Sequence, residues 1–88
     1  MRDRAPTQAA HGLALARLGD YSGATEEIHA AMEIAPRHGR VLLYAARASA
    51  LSGDMVSALE RAGQALDATD PPLSPSHREV AMVLTRDK

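Results

Sequence analysis

Gly19-Asp20-Tyr21-Ser22-Gly23-Ala24 is followed 34 positions later by Gly53-Asp54-Met55-Val56-Ser57-Ala58. At the same offset Ala31 falls on Ala65 and Met32 on Leu66, and Leu18 lies one step from the position of Leu51. A single Gly-Asp pair carries little information. Two pairs, each followed by Ala at the same two offsets, set a register that organises most of the chain, and repeats of this period point to stacked supersecondary units.

Working outward from these pairs gives the elements. Ala9, Gly12, Ala14, Leu15, Ala16 and Leu18 form a helical segment that stops at Gly19, the residue type expected just past a helix end. Asp20-Tyr21-Ser22 supplies the turn, with Asp20 or Ser22 as the N-cap of a second helix. Ala24, Ile28, Ala31 and Met32 share one face of that helix, and Pro36 ends it. The second unit repeats the scheme. Val41, Leu42, Ala45, Ala46, Ala48 and Leu51 precede Gly53-Asp54, then Ala58, Leu59, Ala62, Ala65 and Leu66 follow, and Pro71-Pro72 is the expected stop. Residues 73–88 read as a fifth helix. Ser74-Pro75 offers an N-cap with proline at the first helical position, and Ser76-x-x-Glu79 offers a competing capping box. Val80, Val83 and Leu84 supply its apolar stripe, with Arg78, Glu79 and Arg86 on the wet side.

The pattern Gly12 … Gly19-Asp20-Tyr21 … Ala24-x-x-x-Ile28-x-x-Ala31 … Pro36 resembles the tetratricopeptide repeat, from about Ala5 to Pro71. The departures fall on large positions. Gln8 stands where the family has an aromatic, His11 where it has Leu, Leu15 and Ser49 where it has Tyr, and Asp70 where it has Pro. The resemblance implies an all-α fold of two antiparallel helix-turn-helix hairpins stacked as an α-solenoid fragment, with a terminal capping helix. The expected layout is one domain over 1–88, with repeats at about 5–38 and 39–72 and a cap at about 74–86. It also implies a non-catalytic role in binding a peptide or partner protein, in a concave groove lined by the first helix of each hairpin. The groove residues it assigns are Ala9, Leu13, Ala16 and Arg17 on the first hairpin. On the second they are Arg40, Leu43, Tyr44, Arg47, Ala50 and Leu51. The family's carboxylate clamp is absent, since Ala9 and Leu13 occupy the places of its Lys and Asn.

Spacing alone puts Arg40, Tyr44 and Arg47 in one row on a helix. Two guanidiniums around a ring suit an acidic or C-terminal segment, because Arg pairs bidentately with carboxylates while the ring adds apolar contact.

Composition sets the outer limits. The apolar fraction is 45%, yet 18 residues are Ala, there is no Phe or Trp, and Tyr21 and Tyr44 are the only aromatics. Ala favours helices and fills little core, which fits closely approaching backbones rather than a sheet. A formal charge of −1 opposes nucleic-acid binding. The absence of Cys excludes disulfides and thiolate metal sites. His11, His29, His38 and His77 are never three or four residues apart, so no helix presents a pair of metal ligands. Glu26, Glu27 and Glu33 read as a solvated acidic face rather than an acid–base pair, which needs a pocket to shift its pKa values. No catalytic residue, cofactor or metal site is expected. No apolar run reaches the length of a membrane span, and no signal peptide follows Met1-Arg2-Asp3-Arg4, so a cytoplasmic protein is expected. Nine Arg against one Lys, with abundant Ala and Gly, hints at a GC-rich bacterial genome.

Two further readings stay open. So few repeats leave apolar faces uncovered, so the chain self-associates as a homo-oligomer or is part of a longer array. A DNA-binding helix-turn-helix around Arg40–Leu51 is opposed by the charge and by the 34-residue register.

Overall fold

The computed structural model describes residues 4–86. Met1–Asp3 and residues 87–88 of the expected 1–88 domain lie outside the described residues. Five helices follow in order: α1 (Arg4–Arg17), α2 (Tyr21–Ile34), α3 (Gly39–Leu51), α4 (Met55–Asp67) and α5 (Pro75–Arg86). No strand occurs among the described residues.

The Gly-Asp pairs make the same turn twice. Gly19 and Gly53 have φ of 88° and 89°, a left-handed conformation that any side chain would disfavour. In each turn two hydrogen bonds close the preceding helix. Gly19 N–H donates to Ala16 O (3.1 Å) and Asp20 N–H to Leu15 O (2.9 Å), matched by Gly53 to Ala50 O (3.1 Å) and Asp54 to Ser49 O (2.9 Å). This is the double closure of a helix ended by glycine. The Asp then starts the next helix: Asp20 Oδ1 accepts from Gly23 N–H at 3.0 Å, and Asp54 Oδ1 from Ser57 N–H at 3.1 Å. One residue thus ends one helix and caps the next, which folds the chain back antiparallel. Asp20, and not Ser22, is the cap.

Packing within the two hairpins differs. In the first, a Cβ on Gly12 would lie 2.9 Å from Ile28 Cγ1 and 3.1 Å from Ala24 O, so α1 and α2 approach through a missing side chain. The corresponding positions of the second hairpin are Ala46 and Ala62, both fully buried. The Gly–Ile pair of the first hairpin is an Ala–Ala pair in the second, which divides a smaller side-chain volume evenly between the two helices.

Helix α3 is the hub. It packs against α1, α2, α4 and α5, whereas α2 and α4 share no packing. Its buried set, Gly39, Val41, Leu42, Leu43, Ala45, Ala46 and Ala48, covers most of its circumference. Val41, Ala45 and Ala48 join Leu13 and Ile28 in one core, while Leu42 and Leu43 join Ala65, Leu73 and Ala81 in another.

Two details depart from expectation. Helix α4 stops at Asp67, before Pro71-Pro72. Ala68 turns extended and the chain crosses to α3, where Gly39 N–H donates to Pro71 O at 3.0 Å and Leu73 is buried. Tertiary packing of this segment accompanies the end of the helix, and the prolines come after it. Helix α5 starts with Ser74 as its cap. Arg78 N–H donates to Ser74 O at 2.9 Å, and the Ser76–Glu79 box goes unused because the helix has already begun. The stripe expected on Val80, Val83 and Leu84 is also displaced. Ala81 is the buried residue, Leu84 is partly buried beside it, and Val80 and Val83 are exposed. The small Ala81 lets α5 lie close to α3 and α4, and this rolls the valines outward.

Candidate functional site

Of the residues assigned to a groove, the structure keeps some at the surface and removes others. Ala9, Leu13, Ala16 and Leu43 are core residues, with Leu43 wholly inaccessible. They are not available to a ligand. The reason is direct helix–helix packing: α1 lies on α2 and α3, and the Leu43 side of α3 is covered where α4 and α5 meet it.

Arg17, Arg40 and Leu51 are exposed, and Tyr44, Arg47 and Ala50 are half-buried. Arg40, Tyr44, Arg47 and Leu51 follow at intervals of four, three and four, which makes one continuous row along α3. Helix α5 borders this row. The Tyr44 and His77 rings meet edge to face with centroids 6.4 Å apart. His77 is itself held near Ser74, with Nδ1 2.6 Å from Oγ. Val80, three residues on from His77, lies on the same side of α5 and keeps its side chain exposed. The ring of Tyr44 is therefore partly occupied by α5, while cationic and apolar surface remains open around it.

The histidines fall in four separate environments. His11 Nδ1 lies 3.3 Å from Glu27 Oε1, and Gln8 Nε2 donates to Glu27 Oε2 at 3.0 Å. Glu27 thus reaches across from α2 to α1, which corrects its assignment to a purely solvated face. His38 caps α3, its Nδ1 accepting from Arg40 N–H at 3.2 Å. His29 lies in the cleft beside α2. Among the described residues no group of three or more His, Asp or Glu is placed to hold a metal ion. Asp54 is held below the usual carboxylate range by hydrogen bonds from the Ser57 hydroxyl and backbone N–H, a consequence of helix capping.

A second surface was not foreseen. Because the backbones of α2 and α4 stand apart, a cleft runs between them with α3 as its floor. One end holds a cavity of about 200 Å³ flanked by Tyr21, Ile28 and His29 on α2 and by Ser57 and Arg61 on α4, over Ala45 and Ala48. The other end opens to about 430 Å³ between Met32, Pro36 and Arg37 and the pair Gln64 and Asp67, over Leu42. The only sequence hint was the run of short side chains along α3 (Ala45, Ala48, Ser49), which leaves a shallow floor.

Together these features define an all-helical protein with two chemically mixed surfaces, both of which include part of a central helix. Among the described residues no helix is long and apolar enough to cross a membrane. The chain matches no family model, no curated protein and no solved structure significantly.

Proposed function

We propose that this chain is a non-catalytic protein-interaction module, two tetratricopeptide-like hairpins and a terminal helix, that binds a segment of a partner protein along α3. The observation carrying this reading is the open row Arg40–Tyr44–Arg47–Leu51, bordered by exposed Val80. Guanidiniums at two points and apolar surface between them suit an acidic segment with apolar anchors. The doubled turn geometry supports the repeat architecture, because a solenoid needs each unit to bend the chain in the same way.

A direct test selects peptides from a displayed random library on the purified chain. Enrichment of Asp and Glu is expected, with at least about tenfold weaker binding to the Arg40→Glu/Arg47→Glu variant, a loss of about 1.4 kcal/mol. Peptides of no charge preference, bound equally by the variant, would rule the reading out.

Self-association is a second reading, favoured by a separate observation. Leu18 and Val56 are 83% and 79% exposed at the turn ends of the hairpins, apolar surface that a second copy could cover. Sedimentation across concentration distinguishes it: a dimer lost on Leu18→Glu or Val56→Glu supports it, and a monomer at all concentrations excludes it.

A further inference from the structure

We propose that the cleft between α2 and α4 is a second docking site, separate from the row above on α3, and that its occupant is a short acidic segment of a partner carrying an aliphatic anchor. Met32 and Arg61 line both cavities, so the two are one continuous cleft. Tyr21 and Asp54, at the starts of α2 and α4, lie at one end, and Pro36 and Thr69, just past the ends of these helices, lie at the other. The two helices therefore run side by side in the same direction. Each is three to four turns long, so the cleft extends for about 20 Å.

The chemistry is graded along this length. The narrow end is polar, with Thr25, Ser49 and Ser52 each presenting a hydroxyl. Two of these are already committed, Thr25 to Tyr21 O and Ser52 to Ser49 O. The wide end is apolar at its floor, where Met32 and Leu42 belong to the core cluster shared with α4 and α5. An aliphatic side chain fits there.

Arg61 stands between the two ends and sets the sign of the partner. It is half-buried, and its Nη1 donates to Gln64 Oε1 at 3.1 Å. A guanidinium has five N–H donors in a planar fork, so this bond leaves the face suited to a carboxylate unspent. No carboxylate pairs with it among the described residues. Asp54 is engaged in capping α4, and Asp67 sits at the far rim. At the wide end Arg37 is balanced by Asp67 on the facing wall, which leaves Arg61 as the cation that selects the partner. A carboxylate laid over Arg61, with its neighbouring aliphatic group over Met32 and Leu42, matches both features at once.

The test uses an acetylated, amidated peptide of alternating Asp and Leu, with a Lys and Leu peptide as its counterpart, titrated into the whole chain under amide NMR. The expected result is selective shifts at Met32, Leu42, Arg61 and Gln64 with the acidic peptide alone. Arg61→Gln should weaken binding at least about fivefold. Gln64→Glu, which supplies Arg61 with an internal carboxylate, should weaken it similarly while leaving thermal stability unchanged. Arg40→Gln/Arg47→Gln should leave it intact, which separates this site from the α3 row. Equal binding of the basic peptide, shifts confined to α3 and α5, no shifts at millimolar peptide, or closure of the cleft by a second copy of the chain would each overturn the proposal.

Discussion

The two hairpins share a turn and differ in nearly everything behind it. The φ angles at Gly19 and Gly53 are 88° and 89°, and the capping bonds of Asp20 and Asp54 are 3.0 and 3.1 Å. Yet the first hairpin closes on Gly12 against Ile28, whereas the second has Ala46 and Ala62. The first carries a polar bridge from Gln8 and His11 to Glu27. In the second, α3 buries Val41, Leu42 and Leu43 and serves four neighbours. The turn is a local object, specified by two residues and satisfied by backbone bonds. The helix interface is a volume constraint, which several residue pairs can meet.

The sharpest way to break the comparison is at Leu43. Its register equivalent in the first hairpin is Ala9, so Leu43→Ala makes α3 resemble α1 at this point. Leu43 is wholly buried beside Ala65, Leu73 and Ala81, and truncation should cost about 2–5 kcal/mol in urea denaturation. Amide exchange should rise first in α5, because its one buried residue, Ala81, shares a cluster with Leu43. A loss below about 1 kcal/mol would show that α3 is not the hub of the fold.

The next effect tests whether the two interfaces are interchangeable. Gly12→Ala forces a Cβ against Ile28 and the Ala24 carbonyl, and its overpacking cost of about 1–3 kcal/mol should exceed the helix-propensity gain of about 0.5–1 kcal/mol. Ile28→Ala alone should cost about 2–5 kcal/mol through the cavity it leaves. The double variant recreates the Ala–Ala pair of the second hairpin, so its cost should fall below the sum of the two. Gly63→Ala is the control. No atom lies within 4 Å of the place its methyl would take, and it should stabilise by about 0.5–1 kcal/mol. Strict additivity in the double variant would mean that the two sites do not share one space.

What could be read in the sequence follows the same division. Both turns, the ends of α1 and α3, and the Ser74-Pro75 start of α5 were legible, since each depends on a few adjacent residues. The resemblance to the repeat family placed Leu13 and Leu43 on the first helices of the hairpins. It did not say which neighbour would cover them, and they went to the core rather than to a groove. The roll of α5 was hidden for a similar reason: choosing Ala81 over Val80 and Val83 depends on how close α3 and α4 stand. The cleft was the least legible feature, because it is formed by two helices that fail to meet. No residue encodes a gap.

Substituting the turn glycines probes the part that is shared. Gly19→Ala and Gly53→Ala each place a methyl on a left-handed backbone, with no neighbouring atom within 4 Å to complicate the reading. Each should cost about 1–2 kcal/mol. Since the conformations match, the two losses should agree within about 0.5 kcal/mol. A clear inequality would mean that the hairpins unfold separately rather than as one cooperative unit.

The smallest effect sharpens the comparison of the two caps. Hydrogen bonds from the Ser57 hydroxyl and N–H lower the pKa of Asp54 from its ordinary 3.8, whereas Gly23, at the matching place after Asp20, has no hydroxyl to offer. A carboxyl whose pKa is lowered by folding contributes stability that is fully present above its unfolded value. That contribution is lost as the pH falls from near 3.8 through the lower folded value. Asn still caps a helix and does not titrate in this range. Asp54→Asn should therefore leave stability near neutral pH almost unchanged, and should flatten the acid limb of a stability-against-pH curve below about pH 4. Ser57→Ala should flatten the same limb in part, because it removes the hydroxyl that helps to lower the Asp54 pKa. An acid limb unchanged by Ser57→Ala would mean that the hydroxyl of Ser57 adds nothing to the cap.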